Sequence, residues 1–228
     1  MAKKKKSDAS GFETIESTLT GTEQFIERYQ KPLTIGFIAL VAVVSLYIAY
    51  NKWYKAPLEK EALEQAYVAE QYFAADSFYL AINGDGQFPG FIDIVDEYSF
   101  TDVGNMARLY LGISYIKTEN YAEAINHLVK FDSDDPILEP LAQGNIGDAY
   151  SALEQFDKAA QYYQKAGERD KNKLTAPIYY MKAARAFEQT GDYEKALDIY
   201  KIIKSDYRDT EEGREIEKYI ARAENKLK

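Results

Sequence analysis

The one histidine of this 228-residue chain, His127, has no second histidine and no cysteine with which to build a metal site or an activated nucleophile. It therefore reads as a structural or solvated side chain. The absence of cysteine also excludes disulfides, thiolate ligands and thiol nucleophiles, without fixing the compartment. The glycines of "GDGQFPG" are misspaced for a dinucleotide loop and follow a helical stretch, so they predict a turn. "DSDDP" lacks the glutamate and spacing of a calcium loop and predicts a helix cap. Paired carboxylates abound, but on a chain that is 29% charged they read as solvated helix faces. The chemistry points to a non-enzymatic protein with no cofactor and no metal.

The elements that would position any binding surface are helical. A hydrophobic share of 46% marks a folded chain. Its charge is unevenly placed. Residues 1 to 55 hold eight Lys or Arg against five Asp or Glu, and the remainder carries a balance of −12. That acidic body repels phosphate backbones, which argues against nucleic-acid binding.

The run from Leu33 to Tyr50, "LTIGFIALVAVVSLYIAY", holds no charge. Extended to Tyr54 it spans about 33 Å as a helix, enough for a bilayer core of about 30 Å. Tyr47, Tyr50, Trp53 and Tyr54 gather at one end, where amphipathic rings favour the headgroup level. Arg28, Lys31, Lys52 and Lys55 bracket the run, which fits an anchor better than a buried core helix. It is also too long and too far in for a signal peptide, and no small-x-small pair follows it. Lys3 to Lys6, Arg28 and Lys31 on the near side outweigh Lys52, Lys55 and Lys60 on the far side, which predicts a cytoplasmic N-terminus and an exported body. In the arm, Phe12, Ile15, Leu19, Ile26 and Tyr29 recur near helical spacing, and Ser10-x-x-Glu13 and Thr20-x-x-Glu23 match capping boxes; a surface helix and a disordered arm both fit.

Three stretches then repeat one pattern: "MARLYLGISYIKTENYAEAINHLVKF", "LAQGNIGDAYSALEQFDKAAQYYQKA" and "IYYMKAARAFEQTGDYEKALDIYKII". A small residue (Gly112, Gly147, Ala184) is followed three later by an aromatic (Tyr115, Tyr150, Phe187). A second aromatic (Tyr121, Phe156, Tyr193) and an alanine (Ala124, Ala159, Ala196) complete each copy. Small residues on facing helices allow close approach while the aromatics fill the gaps to the next unit. The pattern resembles the tetratricopeptide repeat over roughly Asn105 to Asp209, with Pro136 where that family usually has its inter-repeat proline, and Arg108 and Gln143 replacing the usual large residue that Tyr180 keeps.

The expected fold is all-α: a single N-terminal transmembrane helix followed by a tetratricopeptide-repeat solenoid with a C-terminal capping helix. The expected divisions are 1–31, a cytoplasmic arm; 32–54, the span; 55–104, a degenerate first helical repeat and connecting segment; 105–209, three repeats; and 210–228, the cap. In the degenerate repeat, Leu63, Tyr67, Phe73, Phe78 and Leu80 are expected core, and "FIDIVDEY" a short helix. The cap starts at Thr210, with Ile216, Tyr219, Ile220, Ala223 and Leu227 on one face.

What the repeat resemblance implies for binding is a concave surface lined by first helices. Its groove positions fall on Met106, Leu109, Ile113 and Ile116, then on Leu141, Gly144, Asp148 and Ser151, then on Ile178, Met181, Arg185 and Glu188. The first set is apolar; it suits a hydrophobic peptide or partner helix, or packs against residues 58 to 98. The family's carboxylate-clamp pattern of lysines and asparagines is missing.

From Gly90 to Leu128, "GFIDIVDEYSFTDVGNMARLYLGISYIKTENYAEAINHL" is similar to the ancillary Sec-translocon subunit (YfgM-like) family of bacterial envelopes, through Thr101, Gly104, Asn105 and Ala107. The resemblance implies a non-enzymatic subunit in the bacterial inner membrane, its repeats periplasmic. Its implied partners are Sec translocon subunits and a membrane-anchored peptidyl-prolyl isomerase chaperone, with unfolded exported polypeptides as clients and the lipid bilayer around its span. An envelope scaffold for cell-wall or division machinery and an organellar import receptor with cytosolic repeats are the alternatives.

Overall fold

The computed structural model describes the backbone of residues 8–228 and the side chains of residues 29–228. The chain divides into two units, Met1–Pro57 and Leu58–Lys228. Among the described residues all regular structure is helical. The first unit holds α1 (Asp8–Ala49) and a π-helical segment, Tyr50–Lys55. Ile35, Phe37, Leu46 and Trp53 are all exposed. The stretch from Tyr29 to Ala74 contains a window long and apolar enough to cross a membrane. The lysine cluster Lys3 to Lys6 and the arm's apolar face at Phe12, Ile15, Leu19 and Ile26 lie outside the described side chains.

The second unit begins with α2 (Ala56–Ala74), α3 (Phe78–Asn83) and α4 (Phe91–Glu97). The buried face of α2 is Ala62, Ala66 and Ala69, spaced four and three apart, against Phe91, Ile94 and Leu111. This corrects the expected core: Leu63 is 58% exposed and Tyr67 61% exposed. The alanine stripe wins because it admits the aromatic cluster of Phe73, Phe78, Phe91 and Tyr110, whose rings take the space that larger α2 residues would need. Phe73 itself is half-buried, packed against this core.

The first turn of α2 also clamps the first repeat. The Glu59 carboxylate accepts the backbone N–H groups of Asp102 and Val103, at 2.9 and 2.8 Å. These are orphan donors at the start of α5 (Asp102–Lys117), where the helix dipole also favours negative charge. Glu59→Ala is expected to cost about 1 kcal/mol in urea unfolding. Glu64→Ala, which removes an exposed carboxylate paired only along its own helix with Lys60, is expected to leave the midpoint nearly unchanged.

Three helix pairs follow: α5 with α6 (Tyr121–Leu128), α7 (Leu138–Ala152) with α8 (Phe156–Asp170), and α9 (Ala176–Gln189) with α10 (Tyr193–Asp206). One turn joins the two helices of every pair. Asn120, Gln155 and Asp192 donate their N–H to the carbonyls of Tyr115, Tyr150 and Phe187, at 2.8, 2.9 and 2.9 Å. Glu119, Glu154 and Gly191 donate to Ile116, Ser151 and Glu188, completing a Schellman end in each copy. That end requires a left-handed residue, and φ is +63°, +58° and +80° at Glu119, Glu154 and Gly191. Only the third copy has glycine there. Glu154→Gly is accordingly expected to raise stability by about 0.5 kcal/mol, read as a higher denaturation midpoint.

Close packing works as the small residues require. A Cβ on Gly112 would lie 2.4 Å from Leu128 Cγ, and one on Gly147 2.6 Å from the Tyr163 ring. The equivalent Ala184 and Tyr200 share one buried cluster. The fourth residue of "TGDYEKA", Tyr193, is half-buried, and Ala196 is fully buried.

Both ends of the repeat stack use one cap, written Tyr-x-x-Thr-x-x-Gly. Thr101 Oγ1 donates to the Tyr98 carbonyl at 2.8 Å and accepts from Gly104 N at 2.9 Å. Thr210 repeats this with Tyr207 at 2.8 Å and Gly213 at 3.2 Å, starting α11 (Glu211–Lys226). A Cβ on either glycine would sit 2.0 Å from the tyrosine carbonyl oxygen. Helix α11 buries Ile216, Ile220 and Ala223, with Tyr219 packed partly against the same cluster. Leu227 is exposed instead, because the helix ends at Lys226.

Candidate partner-binding groove

The first helices α7 and α9 and the cap α11 present a row of polar bridges between residues 34 apart. Lys182 Nζ on α9 donates to both Asp148 oxygens on α7, at 2.8 and 3.0 Å. Asp148 also accepts the Tyr163 hydroxyl at 2.6 Å. Burial pushes the Tyr163 hydroxyl well above its ordinary pKa, and the bond to Asp148 adds to the rise. Burial likewise pushes Tyr179 up to about 12. Both tyrosines are therefore neutral at physiological pH, and Tyr163 is the donor to Asp148.

From α9 to α11, an Arg185 guanidinium nitrogen donates to the Tyr219 hydroxyl at 2.7 Å, and Arg222 forms a two-pronged pair with Glu188. Between these bridges lie two adjoining depressions of about 270 and 290 Å³, both bordered by Lys182 and Arg185. Ile178 and Met181 floor one, and Phe156 and Ala186 line the other.

The structure distributes the expected groove residues unevenly. Asp148, Met181 and Arg185 come together along this trough, with Ser151 and Ile178 beside them. Leu109 is only 2% exposed, and Met106, Ile113 and Ile116 pack partly around the same cluster with Ala142 and Ile146 of α7. The first set thus packs toward the second repeat, a neighbour different from the 58–98 segment. Gly144 lies under Tyr179, where a Cβ would meet the ring at 2.0 Å. The sequence pattern did not mark Lys182 and Tyr219 as groove residues. Their signal was the 34-residue offset from Asp148 and Arg185, legible only once the repeat phase is known.

Residues 142–173 and 179–210 match family models of the tetratricopeptide repeat. These two segments carry tetratricopeptide repeats. The first helix pair, outside those matches, shares their Schellman turn and glycine packing. Among solved structures, the chain is similar to the nearly identical TPR-like repeats of a putative kinesin light chain from Podosopora anserina, at 15% identity and a TM-score of 0.54, covering 74% of this chain and 88% of that one. A single-substitution form of the same repeats is similar at 14% identity and a TM-score of 0.54, with 74% and 87% covered. At such identity the likeness shows the fold alone. No curated protein matches the sequence. Tetratricopeptide repeats imply a protein–protein interaction role and are typically non-catalytic scaffolds.

His127 lies in α6, its ring stacked on Tyr115 at 5.7 Å between centroids. Burial lowers its pKa; Lys130 and Arg108 act in the same direction, and Glu123 and Asp96 oppose them. The fold thus holds the neutral imidazole, so its contribution to stability is full above the ordinary value near 6.5 and is lost as pH falls below it. The urea midpoint is expected to drop more between pH 7.5 and 5.5 in the native chain than in His127→Gln.

Proposed function

We propose that this chain is a membrane-anchored, non-enzymatic repeat adaptor of the Sec translocon that assists exported polypeptides through protein–protein contacts. The observation that carries this reading is the presence, in one chain, of an exposed apolar helix long enough to span a membrane and a repeat stack with an open, apolar-floored trough. The likeness of Gly90 to Leu128 to the ancillary translocon subunits supports the partner assignment. In this reading residues 1–31 are the cytoplasmic arm, 32–54 the span, 55–104 the degenerate first repeat, 105–209 the repeats and 210–228 the cap. The body faces the periplasm, beside the translocon and a membrane-anchored peptidyl-prolyl isomerase.

Crosslinking in solubilised bacterial membranes is expected to recover translocon and isomerase subunits with the chain; recovery of neither would overturn the assignment. Because the chain lacks cysteine, Ser205→Cys reports orientation. An impermeant maleimide is expected to label it in intact cells, and labelling only after lysis would reverse the topology.

A further inference from the structure

The charges around the trough are not equally committed. Lys182 is held by Asp148 at 2.8 Å. Arg185 is held by the Tyr219 hydroxyl, its guanidinium carbon 5.2 Å from the centre of that ring. On the α11 wall, Glu215 pairs with Lys218, whereas Glu211 and Glu212 have no ion-pair partner among the described residues. Arg185 likewise has no carboxylate partner among the described residues, so the charge at the trough without an opposite partner is two carboxylates against one guanidinium, net negative, beside an apolar floor. Ile178 is 43% exposed, so part of that floor is wet in the free chain. A segment lying across it gains by covering this side chain and by setting a cation against the two free glutamates.

We propose that the trough seats a cationic amphipathic polypeptide segment, its apolar side chains over Ile178 and Met181 and a lysine or arginine against Glu211 and Glu212. This rests on the adaptor reading above and names the chemistry of the polypeptide that the trough takes. An anionic segment laid over Ile178 meets the same two carboxylates and is disfavoured there by like charge.

The test uses the full chain in a nanodisc of zwitterionic lipid, with a benzophenone on Gln189→Cys, the only cysteine present and a residue lining the trough. Three synthetic peptides of equal length serve as probes, built from Leu and Lys, from Leu and Glu, and from Ser and Lys. The Leu–Lys peptide is expected to crosslink and the other two to fail. The double variant E211Q/E212Q, which keeps the Thr210 cap and so the fold, is expected to weaken that crosslinking roughly fivefold. Ile178→Ser is expected to weaken it by a similar factor.

Equal crosslinking of the Leu–Glu peptide, or indifference to E211Q/E212Q, would overturn the cationic assignment while leaving the trough as a docking site. Crosslinking of no peptide, with the translocon still recovered from membranes, would overturn this inference and leave the adaptor reading standing. Crosslinking of the Leu–Lys peptide without translocon recovery would do the reverse.

Discussion

Tyr200→Ala is expected to lower the unfolding free energy by about 4 kcal/mol, whereas Tyr193→Ala costs about 1 kcal/mol, both read from urea denaturation followed by circular dichroism. Tyr200 is wholly buried in the cluster that joins α9, α10 and α11, and its ring lies 5.6 Å from that of Tyr219. Its removal leaves a ring-sized cavity in the cluster that also holds Ala184, a residue too small to fill it. Tyr193 sits half-buried beside the turn, where solvent replaces much of what is lost. In a repeat stack each unit rests on its neighbours, so the loss is expected to fray α11 first and to broaden the transition. Equal effects of the two substitutions would contradict this account of the packing.

The contrast between these tyrosines shows what could be read from the amino-acid order. Spacing exposed the small residues, the turn aromatics and the alanines, because they recur together at fixed offsets in three copies. It did not expose the residue that packs onto the small one. Leu128, Tyr163 and Tyr200 stand sixteen after Gly112, Gly147 and Ala184, but they differ in type, and a repeat search keyed to identity passes over them. The same reason hid the buried face of α2. Leu63 and Tyr67 look like core by hydrophobicity, yet the close approach of α2 needs Ala62, Ala66 and Ala69.

The residues that carry the envelope-family resemblance have a physical account of their own. Thr101 and Gly104 form a cap that Thr210 and Gly213 form again at the far end. Asn105 holds the Asp132 backbone through its side-chain amide, at 2.7 Å to the carbonyl and 3.3 Å from the N–H. These positions secure architecture, so the proposed setting leans on the apolar helix, and the proposed client on the charge of the trough. That charge was legible only in aggregate, as an acidic body. Which carboxylates are free depends on bridges such as Lys182 to Asp148, which link residues far apart in the chain.

Arg222→Ala is expected to destabilise the cap by about 2 kcal/mol. The Glu188 side chain is only 11% exposed and its carboxylate is met by both prongs of the Arg222 guanidinium. Removing the arginine strands a desolvated charge at the α9–α11 junction, which costs more than the ion pair itself contributes. Half of the Arg222 side chain remains in solvent, so the effect falls below the roughly 3–5 kcal/mol typical of fully buried pairs. The double variant Glu188→Gln with Arg222→Met separates these terms. It removes both charges while keeping the bulk over the Tyr219 ring, 5.1 Å from the guanidinium carbon. It is expected to recover at least half of the loss in a denaturant midpoint. A double variant no more stable than Arg222→Ala would mean that the ion pair itself, and not the stranded Glu188 carboxylate, accounts for the loss.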